Sequence, residues 1–286
     1  MSYPPDTVTV IFRERVGSMS VPVFRIDQGD ASSSVVLHVP HASRQISGPA
    51  RASIGLDDAA LLTELDHMTD AHTDLIAARA AGAARVRPWT FVNEWSRLVV
   101  DPERFPDERE EMAAVGMGAV YTHTSHGQRL RPDDPAFAQR LLDAHFHPYA
   151  QGMTDLVDER LAATGRAIVV DVHSYPALAL PYELHGDGPR PQVCLGTDLA
   201  HTPPWLRDAA ATAFAGYEVA FDTPFAGCYV PLKHHGIDER VSALMVEIRR
   251  DTYQSEPGGD PHPGLDRLAA SLAALVDVLN DPAPHP

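Results

Sequence analysis

The sequence predicts an α/β fold: a single domain with a mixed, mostly parallel central sheet flanked by helices. Three observations carry that expectation. Short apolar runs rich in β-branched residues, at 35–39, 167–170 and 243–246, have the length and composition of buried strands. Segments of helical spacing lie between them. Each run then stops abruptly in polar, chemistry-bearing residues: Pro40-His41-Ala42-Ser43, Asp171-Val172-His173-Ser174 and Glu247-Ile248-Arg249-Arg250. The carboxyl ends of strands are where open α/β sheets build their sites. At 286 residues the chain sits near the upper size of one domain, so 1–286 is read as one unit with a core over about 35–280.

Taken in order, residues 7–24 alternate weakly and predict an N-terminal hairpin or edge strands, and 28–34 is a polar Gly/Ser turn into the strand at 35–39. Residues 57–81 have helical spacing, with Leu61, Leu62, Leu65, Met68, Leu75 and Ile76 as the expected buried stripe. Short strands are expected at 85–91 and 97–101, on either side of the polar corner Asn93-Glu94-Trp95-Ser96. Residues 102–135 carry many charges, glycines and prolines and read as a long loop, of the kind that is functional when it occurs inside a compact domain. Its Met112, Met117 and Tyr121 argue against plain disorder.

Helical periodicity resumes over 135–164, is interrupted at His147-Pro148 and is stopped by Gly165. Beyond the strand that carries His173, 179–191 reads as a second site-lining loop and 192–196 as a strand. Residues 203–216 read as a helix capped by Thr202 ahead of two prolines. Strands at 217–222 and 243–248 and an amphipathic helix at 264–280 complete the order, before a Pro-rich, frayed tail. There is no internal repeat.

Composition narrows the function. A net charge of −16, from 23 basic and 39 acidic side chains, disfavours nucleic acid and anionic membrane as partners. No segment approaches the roughly 20 apolar residues of a membrane span, and Met1-Ser2-Tyr3-Pro4-Pro5-Asp6 does not open a secretion signal, so a cytoplasmic location is expected. Two cysteines, Cys194 and Cys228, each in an apolar segment, are expected as buried thiols and not as a disulfide framework. In so acidic a chain, Arg97, Arg104, Arg249 and Arg250 gather beside the candidate site, which points to a small carboxylate as the bound partner.

Two histidines and a glutamate at the mouths of three strands suggest a metal-dependent hydrolase. His173 is the first candidate ligand, with Asp171 close enough to support it from behind. His38 and His41 lie three apart; on a strand they would face opposite ways, and His41 is favoured because it lies past the strand, in the Pro40 turn. A hydrolytic zinc site keeps three protein ligands and one open position. The third ligand is sought in the segment Glu64, Asp66, His67, Asp70, His72 and Asp74, where Asp66, Asp70 and Asp74 would share a helix face. Glu247 is either a general base or the partner of Arg249 or Arg250 in a buried ion pair. Ser174 lacks the Gly-x-Ser-x-Gly elbow of a serine nucleophile, and Gly-rich nucleotide-binding patterns are absent.

Five motifs in order, Val39-Pro40-His41-Ala42-Ser43, Thr69-Asp70-Ala71-His72-Thr73-Asp74-Leu75, Ser96-Arg97 through Asp101-Pro102-Glu103-Arg104, Asp171-Val172-His173-Ser174 and Val246-Glu247-Ile248-Arg249-Arg250, resemble the N-formylglutamate amidohydrolase family over about 35–253. The segments around His173 and Glu247 also look like the ligand and catalytic-glutamate strands of metallocarboxypeptidases, so the resemblance implies that fold. It implies a zinc enzyme that hydrolyses the amide of an N-acyl amino acid, N-formyl-L-glutamate to L-glutamate and formate, at the end of histidine degradation. Carried over, His41 and His173 become metal ligands with Asp70 as the acidic one, and Glu247 becomes the base. Glu64 and Asp66 stay as rivals to Asp70, because carboxypeptidases place a glutamate three residues after the first histidine and this chain has Arg44 there. Arg97, His234 or His235 would face the oxyanion, and Arg97, Arg104 and Arg250 the substrate. A related amidohydrolase or peptidase with another acyl group or amino acid is the nearest alternative. A non-catalytic binding protein of the same fold, or a closed structural metal site, is the more distant one.

Overall fold

The β-branched runs become the inner strands of one seven-stranded sheet in the computed structural model, which describes residues 21–184 and 188–281. Its strands are β1 (Phe24–Asp27), β2 (Val35–Val39), β3 (Trp89–Asn93), β4 (Ala167–Tyr175), β5 (Val193–Gly196), β6 (Val219–Phe221) and β7 (Val241–Arg249). They lie in the order β1-β3-β2-β4-β7-β5-β6. The run β3-β2-β4-β7 is parallel, as is β5-β6, while β1 on β3 and β5 on β7 are antiparallel. The sheet is therefore mixed and mostly parallel, as expected. Of the N-terminal hairpin expected over 7–24, all but the last residues fall outside the described part, as does the tail after 281; β1 is the edge strand that follows.

The helices are α1 (Gly48–Ser53), α2 (Asp58–Met68), α3 (Thr73–Ala83), α4 (Pro135–Leu141), α5 (His147–Thr164), α6 (Pro204–Ala213) and α7 (Gly264–Leu279). Strand alternation sorts the core into two layers. Leu37, Val170, Val172, Leu244 and Val246 pack against α3, α6 and α7. Val36, Val169, Val241 and Ala243 pack against Tyr149, Met153, Leu156 and Val157 of α5. On this second face the apolar series ends toward the carboxyl ends of the strands, and His38, Asp171, His173 and Glu247 continue it. Burial of β4 and β7 along nearly their whole length gives those polar residues a rigid base.

Four local expectations need correction. The helix expected over 57–81 is two helices, broken at Thr69–His72, where His72 takes a left-handed φ of 66°. No glycine or proline marks the break; it is held by distant groups, since Asp70 N–H donates to the His41 carbonyl (3.0 Å) and the Tyr253 hydroxyl to that of Ala71 (2.6 Å). The apolar run 97–101 is not a strand: it turns on itself, with Val99 N–H donating to the Ser96 carbonyl (2.8 Å), yet it remains buried. The strand expected at 85–91 starts later, at Trp89. Thr202 does not cap α6; its hydroxyl donates instead to the Ala243 carbonyl (2.7 Å), tying the helix approach to β7.

The interruption at His147-Pro148 is present as a single π-helical turn, Leu142–Phe146, between α4 and α5. Pro148 has no N–H to continue the α-helical ladder, and a wider turn absorbs the gap. Gly165 ends α5 in the left-handed conformation, φ 79°. Cys194 is buried and Cys228 half-buried, and both are free thiols.

Candidate active site

Parallel pairing places His173 of β4 directly beside Glu247 of β7, and His38 of β2 beside Asp171 of β4. Past the end of β2, the Pro40 turn swings His41 back to the side that His38 already faces. The break between α2 and α3 drops Asp70 into the same space. Four segments distant in sequence thus deliver His41, Asp70, His173 and Glu247 to the wall of one 930 Å³ cavity.

Nδ1 of His41 lies 3.3 Å from Nδ1 of His173. Oδ2 of Asp70 is 3.1 Å from the His173 nitrogen and 3.6 Å from the His41 nitrogen. The far nitrogens are each taken by a carboxylate: Nε2 of His41 by Asp101 at 2.9 Å, and Nε2 of His173 by Asp171 and Glu103, both at 3.1 Å. Asp171 is further held by His38 (2.7 Å) and by the Tyr229 N–H (3.1 Å), and His38 continues to the Tyr149 hydroxyl (2.5 Å). Each ring is oriented from behind, so both Nδ1 atoms look at Asp70.

The balance of charge follows from this packing. Burial opposes the carboxylate of Asp70, but hydrogen bonds from His173 and His41 outweigh it and hold its pKa well below the ordinary range. Asp101 is likewise held far down, by Arg97 and His41 against burial. Burial also opposes the charged imidazoles. Asp101 and Asp70 still raise His41, and Glu103, Asp171 and Asp70 raise His173 well above its usual value. Glu247 behaves differently. Its Oε2 is buried with no hydrogen-bond partner, and burial, with Asp70 nearby, pushes its pKa up to about 7 despite His173 and Arg250.

The arginines expected at the substrate all line the cavity, with different commitments. Arg250 donates to Asp70 (3.1 Å), the His67 carbonyl (2.6 Å) and Ser174 (3.2 Å). Arg97 grips Asp101 at 2.7 Å and the Tyr121 hydroxyl at 2.9 Å. Arg104 is the least engaged: Asp101 and Glu110 stand at 3.6 and 3.8 Å, and its Nε makes no hydrogen bond. Arg249 pairs with Asp251 outside the cavity. The rivals to Asp70 lie elsewhere: Asp66 is bonded to Arg44 (2.7 Å), and Glu64 to the backbone and hydroxyl of Ser125 (2.7 and 2.8 Å). His234 sits between Asp158 and Asp238 in a different depression, while His235 reaches the cavity rim.

Glu103 was not singled out by sequence reasoning, although it touches both site imidazoles. Its signal was its place between Asp101 and Arg104 in a motif already noted. Besides the His41, Asp70 and His173 triangle, donor atoms among the described residues converge closely enough for a metal ion in three sets: His41, Glu103 and His173; His38, Glu103 and Asp171; and Glu64, His67 and His126. No described helix is long and apolar enough to cross a membrane.

Comparison with known proteins identifies the family and the fold. The family model described as N-formylglutamate amidohydrolase matches residues 33–254. The crystal structure of an N-formylglutamate amidohydrolase from Ralstonia eutropha JMP134 superposes with a TM-score of 0.75 at 19% identity, covering 91% of this chain and 98% of that one. A gene product of Agrobacterium tumefaciens superposes with a TM-score of 0.66 at 20% identity, over 90% of this chain and 94% of that one. At such identities these two structures speak for the fold. Among curated proteins none matches the chain.

Proposed function

The chain belongs to the N-formylglutamate amidohydrolase family, and from that premise we propose that it is a zinc-dependent hydrolase of N-acyl amino acids, with N-formyl-L-glutamate as substrate. The observation that carries the reading is the triangle of His41 Nδ1, His173 Nδ1 and Asp70 Oδ2, with sides of 3.3, 3.1 and 3.6 Å. Zinc bonds of about 2.0–2.1 Å to nitrogen and oxygen require tetrahedral edges of about 3.3 Å, and the three sides bracket that length. The donor set suits the ion in kind as well: two imidazoles and one carboxylate leave a position open, and Asp101 and Asp171 hold the far ring nitrogens as ligand histidines require. His41, Asp70 and His173 would hold the zinc, which when bound polarises the acyl carbonyl and acidifies water.

The remaining steps belong to the chain's own groups. Glu247 accepts a proton from the attacking water at its unpaired Oε2 and returns it to the leaving amine, as general base and then acid. A carboxylate with a pKa near neutrality can do both. Arg97, fixed by Asp101 and Tyr121, offers charge-assisted donors to the developing oxyanion. Arg104 is the guanidinium with most capacity left for a substrate carboxylate, while Arg250 chiefly holds Asp70 in place.

A second reading within the same chemistry is favoured by cavity size. The volume of 930 Å³ lies at the upper end of ordinary ligand pockets and far exceeds the needs of formylglutamate, so a larger acyl group or a peptide would also fit. The test is zinc content by mass spectrometry together with formate release from N-formyl-L-glutamate, before and after chelation. About one tightly held zinc and chelator-sensitive formate release are expected, with Arg104→Ala raising KM. Bound zinc without formate release moves the substrate to larger N-acyl compounds. Absence of both zinc and hydrolysis overturns the proposal.

A further inference from the structure

The third donor set takes no part in the chemistry above, although one of its members, His67, lines the same cavity. Glu64 and His67 stand three residues apart on α2 and so share a face, and His126 approaches from the long loop. The two imidazole rings lie 4.8 Å apart, tilted by 35°, and donor atoms of all three residues fall within 4.8 Å of one another.

Three features mark this cluster as more than packing. Glu64 is a buried carboxylate, 4% exposed, and among the described residues no lysine or arginine pairs with it; Ser125 supplies both of its hydrogen bonds. A buried carboxylate without a counter-cation is costly unless some cation joins it. Next, Nδ1 of His67 is buried and makes no hydrogen bond. Finally, the hydrogen bonds assign the lone pairs. Glu64 can only accept, so the Ser125 hydroxyl spends its proton there, at 2.8 Å. Ser125 Oγ must then accept from Nδ1–H of His126 at 3.0 Å, which leaves the lone pair on Nε2 of His126 uncommitted.

We propose that Glu64, His67 and His126 form a second divalent-metal site, suited to zinc or a similar imidazole-seeking ion and separate from the His41, Asp70 and His173 set. Two imidazoles and one carboxylate select borderline ions over magnesium or calcium. Because His126 is exposed, water completes the coordination and the ion is held more weakly than one gripped by buried ligands alone. The site also has a mechanical link to the cavity, since the His67 carbonyl accepts from Arg250, which in turn holds Asp70.

The test uses the full chain stripped of metal and dialysed against graded zinc. Wild type is expected to bind two ions in two affinity classes. His126→Ala, a change at an exposed side chain, is expected to weaken the second class more than about tenfold while leaving the tight class and formate release at one equivalent of zinc untouched. His173→Ala is expected to do the reverse: the weaker class stays and the tight class is lost. That contrast separates this proposal from the functional one, whose failure would show in the tight class and in activity. A single ion in the wild type that His126→Ala leaves in place, or two ions with unchanged affinities in His126→Ala, overturns the second site.

Discussion

At Glu247 two facts act together: the carboxylate is buried beside His173, and its Oε2 has been given no hydrogen bond to satisfy it. A structural glutamate at this depth would be paired with a guanidinium. Arg250, the nearest candidate from the sequence, turns instead to Asp70, Ser174 and the His67 carbonyl. Glu247 is thus left as an acceptor facing the cavity, which is what proton transfer requires and what stability alone would not select. Glu247→Gln keeps the size and removes the proton acceptor. It is expected to lower kcat by about 10²–10⁴-fold while zinc content stays at the wild-type level, measured on the same preparation. Activity within a few-fold of wild type would remove Glu247 from the mechanism.

Among the elements, α5 offers the cleanest measurement. It ends at Gly165 with φ 79°, and an added Cβ there would meet no neighbouring atom, so only the backbone conformation penalises a side chain. Gly165→Ala is expected to cost about 1–2 kcal/mol in chemical denaturation and to leave KM unchanged; Gly165→Asn should cost less, because asparagine tolerates this region better. The same contrast between local and distant causes explains what the sequence could and could not show. The Gly165 stop, the Pro148 interruption and the strands that end in His41, His173 and Glu247 are written in neighbouring residues, and all could be read directly. The break that frees Asp70 from a helix is made by the His41 carbonyl and by Tyr253, more than 180 residues further on in the latter case. No local pattern contains it. The buried turn at 97–101 looked like a strand because its residues are apolar, and only its backbone bonding reveals otherwise. Glu103 escaped for a related reason: its contacts with both imidazoles depend on where that turn delivers the loop.

Across the whole molecule, the site ties folding to protons and to metal at once. Asp70, Asp101, Glu103, Asp171 and Glu247 crowd two imidazoles, and Arg97 and Arg250 neutralise only part of that charge. In the metal-free chain, protons fill the role of the missing cation. Glu247 moves from an ordinary 4.5 up to about 7, and His41 and His173 are raised as well. A group whose pKa is higher in the folded state gives stability that is complete below its unfolded pKa and gone above its folded one. All three groups therefore withdraw stability from the metal-free chain as pH rises from about 5 to 8, Glu247 alone by about 3 kcal/mol. Asp70 and Asp101, held low, give stability throughout that window and lose it only in stronger acid. Bound metal needs His41 and His173 unprotonated, so its stabilisation should grow over the range where their protons leave. Thermal unfolding with chelator is expected to show Tm falling from pH 6 to pH 8, and saturating zinc should raise Tm more at pH 8 than at pH 6. Glu247→Gln should make the metal-free profile shallower, because a neutral amide has no proton to lose and only His41 and His173 still titrate. A metal-free Tm that rises across this interval, or a zinc-induced gain equal at both pH values, would mean that the carboxylate and imidazole cluster does not exchange protons for a cation.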